Sequence, residues 1–389
     1  RFFCPARSRS EAQPRTCVER RATQRDGKRS GATTHSCLEL VSKGGNPVAT
    51  IADVAKHAKV SMMTVSRVIN NSANVRAVTK KRVLSAIAAL NYQPNMVAKG
   101  LATGRSGLIA YVVTDISVMY YGLVSKGIEN ACFDRGYTVI IYEVCSRERM
   151  RDCIDMMLSR RIDGAIFHDA NLLPEQAERL SAAGVRCATI DNEIDLEGTS
   201  SVGTDNLGGG RLAAEHLLKR GYRNIGLMTG ILGEARPGAA YVDTFQRRVW
   251  RERTRGFTDA LAEAGLAPSF LAEGCASLSE GFRAAQAMME DALGRPDRPS
   301  AIYCENDIMA LGAVSKLLER GVPFPESMAV IGHDGLEMCL SLYPHITTVV
   351  QPRYEIGQVS AGMLLDGIEQ SAPAAHRVIP SAIFRGDTA

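Results

Sequence analysis

The sequence predicts two kinds of structure in one chain: a small all-α helix-turn-helix domain, followed by an α/β core of two parallel-sheet lobes. From Thr50 to Tyr92, apolar residues recur at helical spacing. After Gly107, short β-rich runs alternate with helical ones, which is typical of a parallel sheet covered by helices on both faces. The 389 residues allow two or three domains. About 280 residues of this alternation exceed one compact sheet, so we expect two α/β lobes.

The first domain consists of three short helices. Apolar residues mark them in turn: Ile51, Val54, Ala55 and Ala58, then Val65, Val68 and Ile69, and then Val83, Ile87 and Leu90. Thr50 and Ser61 precede the first two helices and are natural N-caps. Only about four residues separate the first helix from the second, which forces a tight helix-turn-helix.

The core contains eight β-rich runs: GLIAYVV, YTVIIYEV, DGAIFH, VRCATID, NIGLMTG, SAIYC, MAVIGHD and ITTVVQP. Helical segments separate them, for example around Met156 and Leu180. The GGG at 208–210 lacks the GxxxxGK[ST] spacing of a phosphate-binding loop, so we do not assign it that role.

Charge is distributed unevenly along the chain, whose net charge is +4. Between Thr50 and Ser106 the only acid is Asp53, and the basic residues are Lys56, Lys59, Arg67, Arg76, Lys80, Lys81, Arg82, Lys99 and Arg105. The first 49 residues are also basic, so the remainder is net acidic. A basic module joined to an acidic globule indicates nucleic-acid binding, and a solvated charged surface is the alternative.

Other features argue against several classes of protein. The 10 cysteines contain no CxxC, and several lie in apolar runs, as expected of buried thiols in a reducing cytoplasm. The seven histidines have no metal-ligand spacing, so we expect neither a metal nor another cofactor. No apolar run approaches the roughly 18 residues of a membrane span.

At the level of motifs, the first domain closely resembles the N-terminal module of the lactose/galactose repressor (LacI/GalR) family of bacterial transcription factors, through TIADVAKHAKVSMMTVSRVINN and LNYQPNMVAKGLATGRS. The resemblance continues in SVGTDNLGGGRLAAEHLLKRGYRNIGLMTG, RERTRGF, CENDIMALGAV, AVIGHDG and ITTVVQPRYEIG. It implies a periplasmic-binding-protein-like core and a repressor that binds a palindromic operator in double-stranded DNA as a homodimer. A small sugar, sugar acid or sugar phosphate between the lobes would control DNA binding allosterically.

The second helix is the expected DNA-reading helix. Met62, Met63 and Arg67 fall on its exposed side, opposite its apolar residues. Arg67 can hydrogen-bond a guanine or hold a phosphate, and both alternatives stay open. A thioether forms almost no hydrogen bonds, so we expect Met62 and Met63 to read thymine methyls and shape, unless one of them packs on the small core. Contacts to phosphates are expected from Thr50, Ser61, Thr64, Ser66 and Asn70, with N-capping the alternative for the first two.

The segment PNMVAKGLATG resembles the hinge of the family. Asn95 would cap a short helix containing Val97, Ala98 and Leu101, which is too short to be stable alone in water. By the resemblance, two such hinges of a dimer enter the minor groove, where Leu101 opens a base step and Ala102 adds no charge. A plain linker is the alternative.

Two residues match the ligand contacts of the family most directly, Arg253 in RERTRGF and Asp307 in CENDIMA. Looser matches are Tyr120, Tyr121, Asp191 and Gln351. An arginine can bind a carboxylate, a phosphate or paired hydroxyls, and an aspartate accepts hydrogen bonds from hydroxyls or amines. The alternatives are a surface ion pair for Arg253 and an N-cap for Asp307. The Arg-dense stretch around Trp250 indicates an anionic or sugar-acid effector.

These expectations divide the chain into a disordered basic extension at 1–48, a helix-turn-helix domain at 49–93, a hinge helix and linker at 94–106, and an effector-binding and dimerisation domain at 107–389. Two rival interpretations remain. A solute-binding protein would need a secretion signal and no basic helical module. A sugar-processing enzyme would need catalytic carboxylates, and the sequence contains no catalytic triad or local acid pair, so we expect no catalytic activity.

Overall fold

The protein, seen in a computed structural model, is described at residues 49–69, 75–93, 100, 104–230, 232, 247–275 and 278–389. The chain divides into two compact units, the first ending at Gln93 and the second beginning at Pro94, and each is treated by itself. The extension at 1–48, which we predicted to be disordered, lies outside the described residues.

The first unit contains the three predicted helices. α1 spans Ile51–Ala58, α2 spans Met62–Ile69 and α3 spans Ala77–Ala89. One small core joins them, made of Val54, Ala55, Ala58, Val65, Val68, Val83, Ala86 and Tyr92. Between α1 and α2, Lys59 adopts the left-handed conformation with φ at 50° and ends α1. The predicted helix-turn-helix is therefore confirmed.

The second unit alternates strands and helices. In chain order these are β1 Leu108–Val113, α4 Tyr120–Asp134, β2 Thr138–Glu143, α5 Arg147–Ser159, β3 Gly164–His168, α6 Pro174–Ala182, β4 Arg186–Ile190, β5 Ser200–Thr204, α7 Asn206–Lys219, β6 Ile225–Gly230, α8 Arg247–Glu263, β7 Phe270–Cys275, α9 Leu278–Gly294, β8 Ala301–Cys304, α10 Asp307–Arg320, β9 Ala329–Asp334, α11 Glu337–Ser341, β10 Thr347–Val350, α12 Arg353–Gln370, β11 His376–Ile379 and β12 Ala382–Phe384.

These strands form two six-stranded sheets, one for each lobe. The first lobe has the order β11-β5-β4-β3-β1-β2 with every pair parallel. The second lobe has the order β12-β10-β9-β8-β6-β7, and only its edge strand β12 runs antiparallel to its neighbour. The central strands are buried on both faces, which is why they read as near-continuous apolar runs. The predicted two-lobed α/β core is confirmed.

The chain crosses between the lobes three times, after β5, after β10 and between β11 and β12. The helix α7 packs on α8 in the second lobe, and the second crossing lets α12 cover the first sheet. Small residues allow the close packing of α7, since a Cβ on Gly210 would lie 2.0 Å from the Arg253 carbonyl oxygen. Within the described part of the chain, the helices are too short or too polar to cross a membrane.

Candidate functional site

The start of α2 is the candidate surface for nucleic acid in the first unit. The Ser61 hydroxyl accepts a hydrogen bond from the Thr64 amide at 3.2 Å, so Ser61 caps α2 as predicted. Thr50 and Asp53 form a reciprocal capping box on α1, with Oγ1 of Thr50 accepting from the Asp53 amide at 3.3 Å. The capping alternative is therefore observed for both residues, and both side chains remain exposed.

The two methionines do not belong to the core of the first unit. Met62 is 54% exposed and Met63 is 64% exposed, while Val65 and Val68 on the opposite side of α2 are buried. Arg67 is exposed on the same helix. The alternative in which a methionine packs on the core is thus not what the structure shows, and α2 presents two thioethers and a guanidinium to solvent.

The first unit has many exposed basic residues. In the described part of the first unit the basic residues are all exposed and are Lys56, Lys59, Arg67, Arg76, Lys80, Lys81 and Arg82. The acid there is Asp53, whose pKa is lowered by its hydrogen bonds to Thr50. Such a surface attracts a polyanion. Five predicted DNA contacts lie outside the described residues: Asn70, Asn95, Ala98, Leu101 and Ala102.

The second candidate site is a cleft between the two lobes of the second unit. Its cavity has a volume of about 30 Å³, room for one or two water molecules. The residues around it are Tyr120, Asp169, Asp191, Val249, Trp250, Arg253, Asn306 and Asp334. Four of them lie at the ends of the parallel strands β3, β4, β8 and β9 or within two residues after them, and the carboxyl ends of strands are where open α/β sheets bind ligands.

Arg253 is the central cation of the cleft and is only 5% exposed. Its Nη1 lies 3.3 Å from Asp334 Oδ1 and its Nε donates to Asn206 Oδ1 at 2.9 Å. A third bond goes from Nη1 to the Glu305 carbonyl oxygen, and the guanidinium lies over the Trp250 ring at 5.7 Å. The alternative of a surface ion pair is therefore excluded, because the pair is buried.

A hydrogen-bonded chain connects this arginine to the opposite lobe. Gln351, on the crossing after β10, donates from Nε2 to Asp334 Oδ1 at 3.0 Å. Tyr120, at the start of α4 in the first lobe, donates its hydroxyl proton to Gln351 Oε1 at 2.5 Å. Tyr120 lines the cavity, whereas Gln351 does not, and the two residues form a bridge that joins the lobes.

Asp307 is placed differently from the prediction. Its Oδ2 accepts from the Leu336 amide and its Oδ1 from the Thr348 hydroxyl, each at 2.6 Å. The side chain is fully buried and does not line the cavity. The N-cap of α10 is Asn306, whose Oδ1 accepts from the Met309 amide at 2.7 Å. Asp307 is thus neither a cleft residue nor the cap, because it ties the ends of β9 and β10 to α10.

The remaining two predicted cleft residues differ in position. Asp191 lines the cavity and accepts two hydrogen bonds from Thr204, from the amide at 3.1 Å and the hydroxyl at 3.3 Å. Tyr121 does not line it and instead donates to Asp169 at 3.2 Å. Burial raises the pKa of the Asp191 carboxyl to about 6.

The prediction missed three polar cleft residues, Asp169, Asn306 and Asp334. Their location could have identified them from the sequence, because each lies at or just after the carboxyl end of a buried strand. Asp169 and Asp334 also have positive φ, at 52° and 117°, which is rare for side chains other than glycine and is found often at functional sites.

Comparison with known proteins identifies the family of both parts of the chain. Residues 50–95 match the family described as "Bacterial regulatory proteins, lacI family", and residues 214–388 match "Periplasmic binding protein-like domain". The chain is 32% identical over 329 residues to the HTH-type transcriptional repressor PurR of Aliivibrio salmonicida, covering 83% of this chain and 93% of that protein. It is 31% identical over 318 residues to the catabolite control protein A of Priestia megaterium, covering 81% and 91%.

Solved structures with the same fold also belong to transcriptional regulators. The lac repressor dimer bound to operator and the anti-inducer ONPF is 28% identical, has a TM-score of 0.70, and is matched over 87% of this chain and 98% of that one. The transcriptional regulator CelR in complex with cellobiose is 25% identical with a TM-score of 0.62, over 88% and 100%. These relatives are regulators and not enzymes. The chain belongs to the LacI family of bacterial regulatory proteins and is a DNA-binding transcriptional regulator.

Proposed function

We propose that this protein is a repressor that binds a palindromic operator as a homodimer, under allosteric control by a neutral sugar. In this proposal residues 49–93 bind DNA, residues 94–106 form the hinge, and residues 107–389 bind the effector and dimerise. The observation that carries the DNA part is the exposed, capped start of α2 on a unit rich in exposed basic residues.

The base contacts come from Met62, Met63 and Arg67. The thioethers pack on thymine methyl groups, and Arg67 bonds a guanine or a phosphate. Leu101 of the hinge enters the minor groove, next to Asn95, Ala98 and Ala102. The lac repressor structure, which is a dimer bound to operator, supports this arrangement by similarity.

The charges of the cleft favour a neutral effector over an anionic one. Three carboxylates face the cavity, those of Asp169, Asp191 and Asp334, against the single guanidinium of Arg253, which is already paired with Asp334. A sugar acid or sugar phosphate would bring further negative charge beside these carboxylates. Hydroxyl groups instead donate to carboxylates, and Trp250 offers an apolar face to a sugar ring. The similarity to a cellobiose-bound regulator agrees with this chemistry.

The size of the cleft links effector binding to movement of the lobes. Ligand pockets usually have volumes of about 300–1,000 Å³, and the cavity around Arg253 is about 30 Å³. A neighbouring cavity of about 410 Å³ shares Asp191 and Val249 with it. A sugar therefore contacts Arg253 only after the lobes separate or rotate. This movement breaks or re-forms the bridge from Tyr120 through Gln351 to Asp334. The effector then shifts the equilibrium between two arrangements of the dimer, and DNA and effector change each other's affinity.

The effector part is tested by a thermal-shift panel of the full chain with neutral sugars, including ribose, glucose and cellobiose, beside gluconate and glucose 6-phosphate. We expect the melting temperature to rise with a neutral sugar, because a ligand that binds only the folded state stabilises it. A rise with gluconate or the phosphate alone would overturn the neutral class.

The DNA part is tested by Met63→Gln in the full chain, with fluorescence anisotropy on fragments of its own promoter. We expect a changed base preference with about 1–3 kcal/mol of discrimination at one base pair and retained, salt-dependent binding. Leu84→Gln on the exposed side of α3 is the matched control and leaves the preference unchanged. If Met63→Gln leaves every base preference unchanged, α2 does not read bases at this position.

A further inference from the structure

Three side chains at the carboxyl ends of β3 and β4 form what we call the first-lobe cluster: His168, Asp169 and Asp191. One donor atom from each lies within 4.8 Å of the other two. The two strands are parallel neighbours, so their ends bring the three groups together at one edge of the cleft. The hydrogen bonds described above for the effector site do not involve the imidazole of His168.

The imidazole of His168 has one nitrogen engaged and the other without a partner. Its Nδ1 lies 2.7 Å from the Tyr111 hydroxyl. Its Nε2 is fully buried and forms no hydrogen bond, since the nearest carboxylate oxygen, Oδ2 of Asp169, is 3.7 Å away. An imidazole held through Nδ1, with Nε2 lacking a partner, is the usual arrangement of a metal-binding histidine.

Asp191 supplies negative charge to the cluster without a basic partner in direct contact in the described part of the chain. Among the described residues, Asp191 has no basic nitrogen within 4.0 Å and accepts only from Thr204. Arg253 acts on it from a greater distance. Asp169 and Asp191 both have positive φ, at 52° and 49°, so the backbone is strained where it brings these groups to the cleft.

A second histidine shows that this arrangement is not a general feature of the fold. His333 in the second lobe also has its Nδ1 2.7 Å from a tyrosine hydroxyl, that of Tyr303, and its Nε2 also has no partner. However, Gly209 covers that ring so closely that a Cβ there would lie 2.6 Å from His333 Cε1. The free nitrogen of His333 faces packed protein, and that of His168 faces carboxylates.

We propose that the first-lobe cluster binds one divalent cation, of the kind that takes mixed oxygen and nitrogen ligands such as Mn²⁺ or Zn²⁺, through His168 Nε2 and the carboxylates of Asp169 and Asp191. Donor atoms within 4.8 Å of one another allow an ion at their centre to lie about 2.8 Å or less from each, and small side-chain movements shorten this to bonds of about 2.0–2.2 Å. The cavity of about 30 Å³ beside them has room for the ion and one further ligand.

The inference rests on the proposed function, because it places the cation in the effector cleft. The ion binds the two carboxylates of the first lobe and leaves a coordination position for a hydroxyl oxygen of the effector. Metal and sugar therefore bind the same cleft with coupled affinities.

Mn²⁺ is the probe of choice, because it prefers oxygen and imidazole to the thiols of a chain with 10 cysteines. The full chain is stripped with EDTA, dialysed and titrated with Mn²⁺ in the absence of sugar and DNA. The EPR signal of the free ion gives the bound fraction. We expect saturable uptake of about one ion per chain.

Two isosteric variants, Asp191→Asn and Asp169→Asn, test the ligands separately, so that one remains informative if the other fails to fold. Each lowers the Mn²⁺ affinity at least about tenfold. Asp195→Asn is the matched control, because that carboxylate is close in sequence and pairs with Arg248 at 2.9 Å outside the cluster. The control binds Mn²⁺ as the wild type does.

The proposal is overturned if the wild-type chain shows no saturable uptake of Mn²⁺. It is also overturned if Asp191→Asn and Asp169→Asn, or the one of them that folds, bind Mn²⁺ with the wild-type affinity. The sugar panel repeated in EDTA separates this outcome from the proposed function. Sugar binding without Mn²⁺ uptake contradicts only the proposed metal site. Mn²⁺ uptake without binding of any neutral sugar contradicts only the proposed effector class.

Discussion

In both lobes the same dipeptide lies at the carboxyl end of a central strand, His168-Asp169 at the end of β3 and His333-Asp334 at the end of β9, yet the two pairs have different surroundings. In each lobe a tyrosine hydroxyl lies 2.7 Å from the histidine Nδ1. In the second lobe the aspartate pairs with Arg253 and Gln351. In the first lobe the corresponding carboxylate lies beside another carboxylate, that of Asp191.

The difference teaches that one strand-end geometry can serve two purposes. The second lobe holds a preorganised ion pair, whose charges are balanced before any ligand arrives. The first lobe brings two carboxylates together, and Asp191 has no basic nitrogen within 4.0 Å among the described residues. We therefore expect the first lobe to recognise hydroxyl donors or a cation, and the second lobe to orient the ligand.

Removing the arginine gives the largest expected effect, because it abolishes the ion pair that distinguishes the second lobe. Arg253→Ala leaves Asp334 buried without its cation, a loss of about 2–5 kcal/mol for a hydrogen-bonded buried pair. We expect effector affinity, measured by calorimetry, to fall at least about 30-fold. Arg251→Ala on the same helix, with its side chain 58% exposed, is the matched control and binds normally. Unchanged affinity in Arg253→Ala would show that the effector binds elsewhere.

The close packing of Gly209 on His333 gives the second-largest expected effect. Gly209→Ala places a methyl group 2.6 Å from the imidazole, so the ring or α7 must shift. We expect the free energy of unfolding to fall by about 1–3 kcal/mol, measured in urea through Trp250, the one tryptophan of the chain. Gly362→Ala in α12 is the control, since a Cβ there meets nothing within 4 Å, and it stabilises by up to about 1 kcal/mol. Equal effects of the two would mean that Gly209 does not pack closely on His333.

The pH dependence of stability is a smaller effect and also separates the lobes. Burial raises the pKa of Glu305 in the second lobe to about 8, against hydrogen bonds from Thr229 and Thr254. A carboxyl that binds its proton more tightly when folded stabilises the fold as pH falls, starting near pH 8. We expect a gain of about 1–2 kcal/mol between pH 8 and pH 6.5.

Below pH 6.5 two buried histidines oppose this gain. Burial lowers the pKa of His168 to about 3 and that of His333 well below its ordinary range, so the unfolded chain binds those protons first and their contribution is lost as pH falls. The raised pKa values of Glu305 and Asp307 still add stability in this range, so we expect the gain per pH unit in urea unfolding to be smaller than these carboxyls alone would give. Glu305→Gln reduces the gain between pH 8 and pH 6.5, and an unchanged slope in that variant would rule out Glu305 as its cause.

The sequence predicted the framework of the fold because buried parallel strands and capped helices have strong local patterns. The eight apolar runs became strands β1–β4, β6 and β8–β10. The strands that were missed have weak patterns. β7, β11 and β12 are edge strands, and β5 reads SSVGT, whose small polar residues look like a loop.

The cleft was harder to predict, since several acids stand near strand ends and tertiary packing decides which of them face the ligand. Asp307 and Asp334 illustrate this. Asp307 is turned into the protein by Leu336 and Thr348, and Asp334 reaches Arg253 from a strained turn. Spacing along the chain contains no information on those partners.

The central claim is that the cleft controls the DNA-binding unit, and the coupling between the two ligands tests it most directly. Operator affinity of the full chain is measured by fluorescence anisotropy with and without the neutral sugar that gives the largest thermal shift, and sugar affinity is measured with and without operator. We expect sugar to change operator affinity by the same factor as operator changes sugar affinity, about 5–150-fold. In Arg253→Ala we expect this factor to fall to one. Ratios of one in the wild-type chain, with both ligands bound, would contradict the account.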